Sequence, residues 1–208
     1  MFLNFGGASY LAKVFLYVII SNKFFKLCSK GECNMKLLLV VDMQNDFVDG
    51  ALGFPNSTDI IKPICEKIKE YSDAGHDVYF TKDMHDNDYP NTQEGRKLPI
   101  AHCISQTTGS EIIPQLQQYT NSSNVLIKKN CFGSIELGEF LKSKQYSAIE
   151  ICGLVSNICV LFAAVISKAA LPEVEVTIDE SCTASYDEQL HTKTLDVLAG
   201  CQFNIIRK

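Results

Sequence analysis

Met35-Lys36-Leu37-Leu38-Leu39-Val40-Val41-Asp42 is the stretch that decides the fold. A short, unbroken run of Leu and Val closed by a carboxylate reads as a strand buried on both faces. Such strands belong to parallel sheets covered by helices. Working outward, Ile60, Ile61, Ile64, Cys65 and Ile68 recur at helical spacing and stop near Gly75. Further strands are predicted over residues 76–82, 124–129, 148–152, 174–178 and 203–206. Helices are predicted over 136–144, over 158–171, where Pro172 stops the pattern, and over 187–199. Strand and helix alternating at this interval imply right-handed crossovers and an α/β class with one parallel sheet. The stretch from Asp83 to about Ser110 breaks the rhythm, and a loop of that length inside a small domain is usually functional.

The 208 residues suit one such domain, and a net charge of −5 leaves no basic surplus for nucleic-acid phosphates. Nine cysteines are spread singly with no C-x-x-C pair, which points to reduced thiols and a cytoplasmic protein. Residues 1–34 differ from the rest: Lys13, Lys23, Lys26 and Lys30 against Glu32 give them +3, and leave −8 for residues 35–208. Their apolar run from Tyr10 to Ile20 is too short for a bilayer, which takes about 20 residues, and no small-x-small cleavage site follows it, so no membrane association is expected, with a signal anchor as the alternative. Lys30-Gly31-Glu32 can be encoded by a purine-rich ribosome-binding sequence just ahead of Met35. Residues 1–34 are therefore expected to be an extension outside a single domain over 35–208.

In an open parallel sheet, ligands bind beyond the carboxyl ends of the strands. The residues expected on that rim are Asp42, Asp83, His85, Lys129 and, past Gly153, Cys159. At the start of a helix, Cys159 would have backbone N–H groups and the helix dipole to stabilise a thiolate, lowering its pKa toward neutrality. Elsewhere the same residue would be a small core side chain. Asp42, after four apolar residues, suits a general acid/base or a turn cap. Lys128 and Lys129 fall on opposite faces of their strand, so one of them is solvated. Asp83, His85 and His102 bracket the long loop with a donor set suited to Zn, Fe or Mn, and Glu94 is a further candidate ligand. His76 and His191 read as surface residues at helix ends.

These residues also form a pattern. Val41-Asp42-Met43-Gln44-Asn45-Asp46-Phe47, Asp83-Met84-His85, Ala101-His102-Cys103 with Thr108-Gly109-Ser110-Glu111, and Gly153-Leu154-Val155-Ser156-Asn157-Ile158-Cys159-Val160 resemble the isochorismatase-like cysteine hydrolases. The likeness is closest to the nicotinamidases. It implies a three-layer α/β/α domain with a six-stranded parallel sheet, and a homo-oligomer. It further implies a triad of Asp42 as acid/base, Cys159 as nucleophile and Lys129, which Phe132-Gly133-Ser134 follows as in that family. A cis peptide would join Leu154 and Val155, with the N–H groups of Val155 and Cys159 as oxyanion hole. Phe47, Leu154 and Val155 would contact the substrate, a small-molecule amide.

The activity so implied is conversion of nicotinamide to nicotinate and ammonia through a cysteine thioester, as in NAD salvage. The alternative is hydrolysis of another amide, an N-carbamoyl or a ureido compound. In nicotinamidases the Asp-x-His set with a later His carries a divalent metal, expected here to be Zn, that holds the pyridine nitrogen. One departure stands out: many of them carry a Trp shortly before the second His, whereas this chain has no Trp and shows Pro99-Ile100-Ala101 there. Phe47, Tyr89 or Phe132 would then supply the aromatic wall.

Overall fold

The structure, a computed structural model, describes residues 34–120 and 126–207. The extension expected over 1–34 lies outside the described residues, Asn34 apart. In chain order the elements begin with β1 (Lys36–Val41), a single turn α1 (Asn45–Val48), α2 (Ile61–Asp73) and β2 (Asp77–Asp83). Two short helices follow, α3 (Gln93–Lys97) and α4 (Pro114–Gln117), and then β3 (Leu126–Lys129), α5 (Ile135–Lys142) and β4 (Ala148–Leu154). A π-helical turn (Ser156–Val160) leads into α6 (Leu161–Ala170), and β5 (Glu175–Ala184), α7 (Glu188–Gly200) and β6 (Asn204–Ile206) complete the series. Caps start several helices as their side-chain chemistry requires: Ser134 Oγ accepts from Leu137 N–H, and Asp187 Oδ1 from Leu190 N–H.

The six strands lie in the order β3-β2-β1-β4-β5-β6, all parallel. Alternate β1 residues feed two separate cores. Leu37, Leu39 and Val41 pack with Leu137, Leu141, Ala164 and Leu195 from α5, α6 and α7. Leu38 and Val40 pack with Ile64, Ile68 and Leu116 from α2 and α4 on the opposite face. This is the three-layer α/β/α architecture expected, and the continuous apolar run of β1 is a consequence of having helices on both sides.

The order in which strands are added across the sheet reverses between β1 and β4, and that is where a crevice opens at the carboxyl ends. Gly153 makes the approach possible. It faces Val41 in register and holds φ +111°, and a Cβ on it would sit 2.0 Å from the Val41 carbonyl oxygen. A side chain there has no room.

Three details differ from the sequence expectation. β5 runs on to Ala184 instead of ending at Ile178. Its polar residues Asp179, Glu180 and Ser181 interrupt the apolar pattern because they form a bulge: only Cys152 on β4 faces residues 179–182 between the pairs Ile151–Ile178 and Gly153–Thr183. Asp179 Oδ1 accepts from the N–H and hydroxyl of Ser181 within it, and Lys67 from α2 pins it by reaching Asp179 at 3.1 Å and Glu150 at 2.5 Å. The long loop after β2 is partly helical, because Thr92 caps α3 through Gly95 N–H. The helix expected from residue 158 opens with the π turn that carries Cys159.

Candidate active site

β1 ends on Asp42, which adopts φ +49° and turns the chain so that Gln44 N–H reaches the Asp42 carbonyl at 2.8 Å. Asp tolerates this left-handed conformation better than most residues. The turn leaves the carboxylate in the crevice, fully buried. Thr81 on β2 holds it in place. The Thr81 hydroxyl donates to Asp42 Oδ1 at 2.7 Å, and its oxygen accepts from Asp42 N–H at 3.2 Å. From β3, Lys129 brings its ammonium within 2.7 Å of Asp42 Oδ2, 3.4 Å of Asp83 Oδ1 and 3.6 Å of Cys159 Sγ. Lys128 points to solvent and Lys129 is buried, as strand alternation requires.

The electrostatics follow from burial and from this bridge. Burial pushes the Asp42 carboxyl above its ordinary range, and Lys129 pulls back only part of the way. Burial works against the Lys129 ammonium, but Asp42, Cys159 and Asp83 outweigh it and hold lysine well above its usual value. The Cys159 thiol is also pushed up, first by burial, with the neighbouring carboxylates adding to it and Lys129 opposing. This corrects the expectation of a thiolate near neutrality. The helix-start position is present, but burial of the anion raises the thiol and Lys129 offsets only part of that. Asp42, hydrogen-bonded to this thiol, is the group placed to exchange its proton.

Asp83 links this triad to a second cluster. Its Oδ2 lies 2.9 Å from His85 Nε2 and 3.6 Å from His102 Nε2, and the ligand-capable atoms of the three residues all lie within 4.8 Å of one another. The loop that carries His102 is stitched onto the end of β2 by His85 N–H to the Cys103 carbonyl and Ser105 N–H to the His85 carbonyl. His102 Nδ1 meets the Ile100 carbonyl at 2.8 Å, which leaves Nε2 turned to the cluster. Burial alone would raise Asp83, yet hydrogen bonds from His102 and His85 and the charge of Lys129 hold its carboxyl well below the carboxylate range. One ionised carboxylate and two imidazoles, buried and converging, fit a divalent metal. Glu94 Oε1 stands 3.7 Å from His102 Nε2 and 4.0 Å from His85 Nε2.

A cavity of about 420 Å³ opens over both clusters, lined at its base by Asp83, Glu94, His102 and Cys159. Its walls are Phe47, Phe54, Phe132, Tyr186, Leu98 and Val155 with smaller contributions, and among the described residues no lysine or arginine lines it. Phe47 and Val155 are thus where the sequence put them. Leu154 is not: its side chain is fully buried in the core that α2 covers. Tyr89 is no wall either. It packs against the rings of His85 and His102, with centroids at 4.7 and 5.0 Å, and its hydroxyl donates to the Leu98 carbonyl. A wider groove of about 600 Å³ passes Cys131 and Phe162 beyond Lys129, but the Cys159 thiol does not line it.

Sequence reasoning missed Thr81, Phe54, Tyr186 and Leu98, whose roles depend on convergence across the crevice and leave no local spacing. It also misread His191, which is half-buried, with Nδ1 2.8 Å from Ser156 Oγ in the π turn and Nε2 3.5 Å from Glu180. The expected cis peptide between Leu154 and Val155 is present.

Residues 36–207 match the family described as the isochorismatase domain. The chain is 22% identical over 217 residues to the nicotinamidase of Saccharomyces cerevisiae, spanning 84% of this chain and 100% of that protein. It is 28% identical over 175 residues to nicotinamidase 3 of Arabidopsis thaliana, spanning 82% and 84% respectively. Among solved structures it resembles the pyrazinamidase of Pyrococcus horikoshii in complex with zinc, with a TM-score of 0.73 and 24% identity over 83% of this chain and 99% of that one.

Proposed function

The chain belongs to the isochorismatase family, and from that premise we propose that it hydrolyses nicotinamide to nicotinate and ammonia through a thioester on Cys159. The observation that carries the reading is the Lys129 ammonium, which stands between Asp42 Oδ2 at 2.7 Å and Cys159 Sγ at 3.6 Å beside an apolar cavity. The similarity to two nicotinamidases over more than four-fifths of the chain supports the same substrate.

Asp42 takes the proton of the Cys159 thiol, and the sulfur attacks the carboxamide carbon. A carboxyl pushed above its ordinary range is a stronger base than a solvated aspartate. Lys129 keeps the anion from being buried alone, on Asp42 before the transfer and on sulfur after it. The oxyanion is held by the N–H groups of Val155 and Cys159. Asp42 gives the proton to the departing ammonia, and a water whose proton it then removes cleaves the thioester to nicotinate and regenerates the thiol.

Asp83, His85 and His102 would hold a divalent metal, zinc in our reading. When bound, it supplies a Lewis-acid contact for the pyridine nitrogen. The flat walls of Phe47, Phe54 and Phe132 suit an aromatic ring, and a lining without lysine or arginine among the described residues disfavours substrates that carry a carboxylate. This favours nicotinamide over N-carbamoyl amino acids.

The test is ammonia release from nicotinamide by the purified chain with zinc supplied, beside Cys159→Ala and beside N-carbamoylsarcosine as substrate. Turnover of nicotinamide alone, abolished in the variant, is expected. Release from the carbamoyl compound and none from nicotinamide overturns the substrate. Turnover that survives Cys159→Ala overturns the nucleophile.

A further inference from the structure

Three consecutive side chains behind Asp42 take no part in the chemistry above, yet each is engaged with the backbone around the metal donors. Gln44 is fully buried. It accepts from Asp83 N–H and donates to the Asp83 carbonyl, both at 2.7 Å, and donates again to the Ser110 carbonyl at 2.8 Å. Asn45 donates to the Thr108 carbonyl at 2.7 Å. Asp46 Oδ2 accepts from Cys103 N–H at 2.7 Å, and its Oδ1 accepts from Ala51 N–H at 3.3 Å.

Cys103 directly follows His102 and holds φ +46°, so the chain turns sharply just where the imidazole leaves it. The His102 ring is tethered at Nδ1 by the Ile100 carbonyl on one side, and its chain is tethered by the Asp46 carboxylate on the other. An ionised acceptor on a backbone N–H forms one of the stronger hydrogen bonds available. Gly109 packs close against it: a Cβ there would fall 2.2 Å from Asp46 Oδ2.

We infer that Gln44 and Asp46 are positioning residues for the metal donor set, Gln44 fixing Asp83 and Asp46 fixing His102, so that one turn of chain ties these donors to the strand end carrying Asp42. The inference rests on reading Asp83, His85 and His102 as metal ligands. Partners that orient ligands without touching the ion change affinity by about 10–100-fold when removed. Asp46 is the better test, because Gln44 lies inside the core.

The experiment is zinc affinity of the full chain, measured by chelator competition on the metal-free protein, with far-UV circular dichroism to confirm the fold. Asp46→Ala is expected to weaken zinc binding about tenfold or more. Asp46→Asn, which keeps the shape and an acceptor oxygen but loses the charge, falls between it and wild type. Asp49→Asn removes an exposed carboxylate next to the same short helix and leaves affinity unchanged. At limiting zinc, the KM for nicotinamide rises in Asp46→Ala, and saturating zinc restores it with kcat near wild type. A role in stability alone would lower the unfolding midpoint and leave zinc affinity intact. Should Asp46→Ala fail to fold, Asp46→Asn carries the measurement. Folded variants that bind zinc as wild type does overturn the inference and leave the metal reading standing. Wild type that binds no zinc overturns both.

Discussion

Asp42 Oδ2 lies 2.7 Å from Lys129 Nζ, with both side chains almost wholly withdrawn from solvent. Each charge is compensated chiefly by the other. Removing one partner of such a pair typically costs about 3–5 kcal/mol, since the remaining ion stays buried without compensation. Lys129→Met is therefore expected to lower the free energy of unfolding in urea by about that amount. Adding Asp42→Asn to it recovers part of the loss while the enzyme stays inactive. A double variant no more stable than Lys129→Met would count against the pair.

The elevated Cys159 thiol has a direct chemical readout. Seven described cysteines are free, with Cys131 and Cys201 exposed and Cys159 buried. In the substrate-free protein near pH 7, iodoacetamide is expected to label Cys131 and Cys201 well before Cys159, followed peptide by peptide in the mass spectrometer. Early labelling of Cys159 would mean that a thiolate is present at rest.

Thr81 is expected to matter out of proportion to its size. Thr81→Val preserves shape and removes the 2.7 Å hydrogen bond to Asp42 Oδ1. A buried hydrogen bond to a charged group is worth about 1.5–3 kcal/mol, so kcat should fall roughly tenfold or more, with KM for nicotinamide little changed. An equal effect on both constants would assign Thr81 to substrate binding instead.

Acid stability should depend on the bulge in β5. Burial works against the Asp179 charge, but the Ser181 hydrogen bonds and Lys67 outweigh it and hold this carboxyl below its ordinary range. A lowered folded pKa stabilises the protein fully above the unfolded value, about 3.9, and the contribution fades as pH falls through the folded one. Urea midpoints of wild type and Asp179→Asn should therefore differ most near neutrality and converge below about pH 4. A gap that widens toward acid would reverse the assignment.

The strand-helix order and the three catalytic candidates were legible because their signals are local. An apolar run names β1, a carboxylate after four apolar residues marks Asp42, and a period of two says only that Lys128 and Lys129 face opposite ways, the choice of Lys129 coming from the family resemblance around Phe132-Gly133-Ser134. What escaped is what the crevice assembles from distant segments. Tyr186 and Phe54 reach one cavity from opposite sides of the chain's midpoint, and Thr81 reads as one more strand residue until β1 lies beside it. The bulge was hidden for a different reason: Asp179 and Ser181 satisfy each other, so polar residues stay in a strand that their composition argues against. For Cys159 the position was right and the electrostatics wrong, because a sequence displays a helix start but not the depth of the pocket around it.

The strand order divides the reactive centre into two shares. Asp42, Lys129 and the three proposed metal donors come from the half built on β1, β2 and β3, and Cys159 comes from the half built on β4, β5 and β6. Neither share is a catalyst. A nascent or partly unfolded chain thus carries an ordinary cysteine on one fragment and an idle carboxylate on the other, and reactivity switches on only when β4 seats against β1. Enzymatic turnover is in this sense a gauge of a single seam, and two separately made halves that regain activity on mixing would have closed that seam.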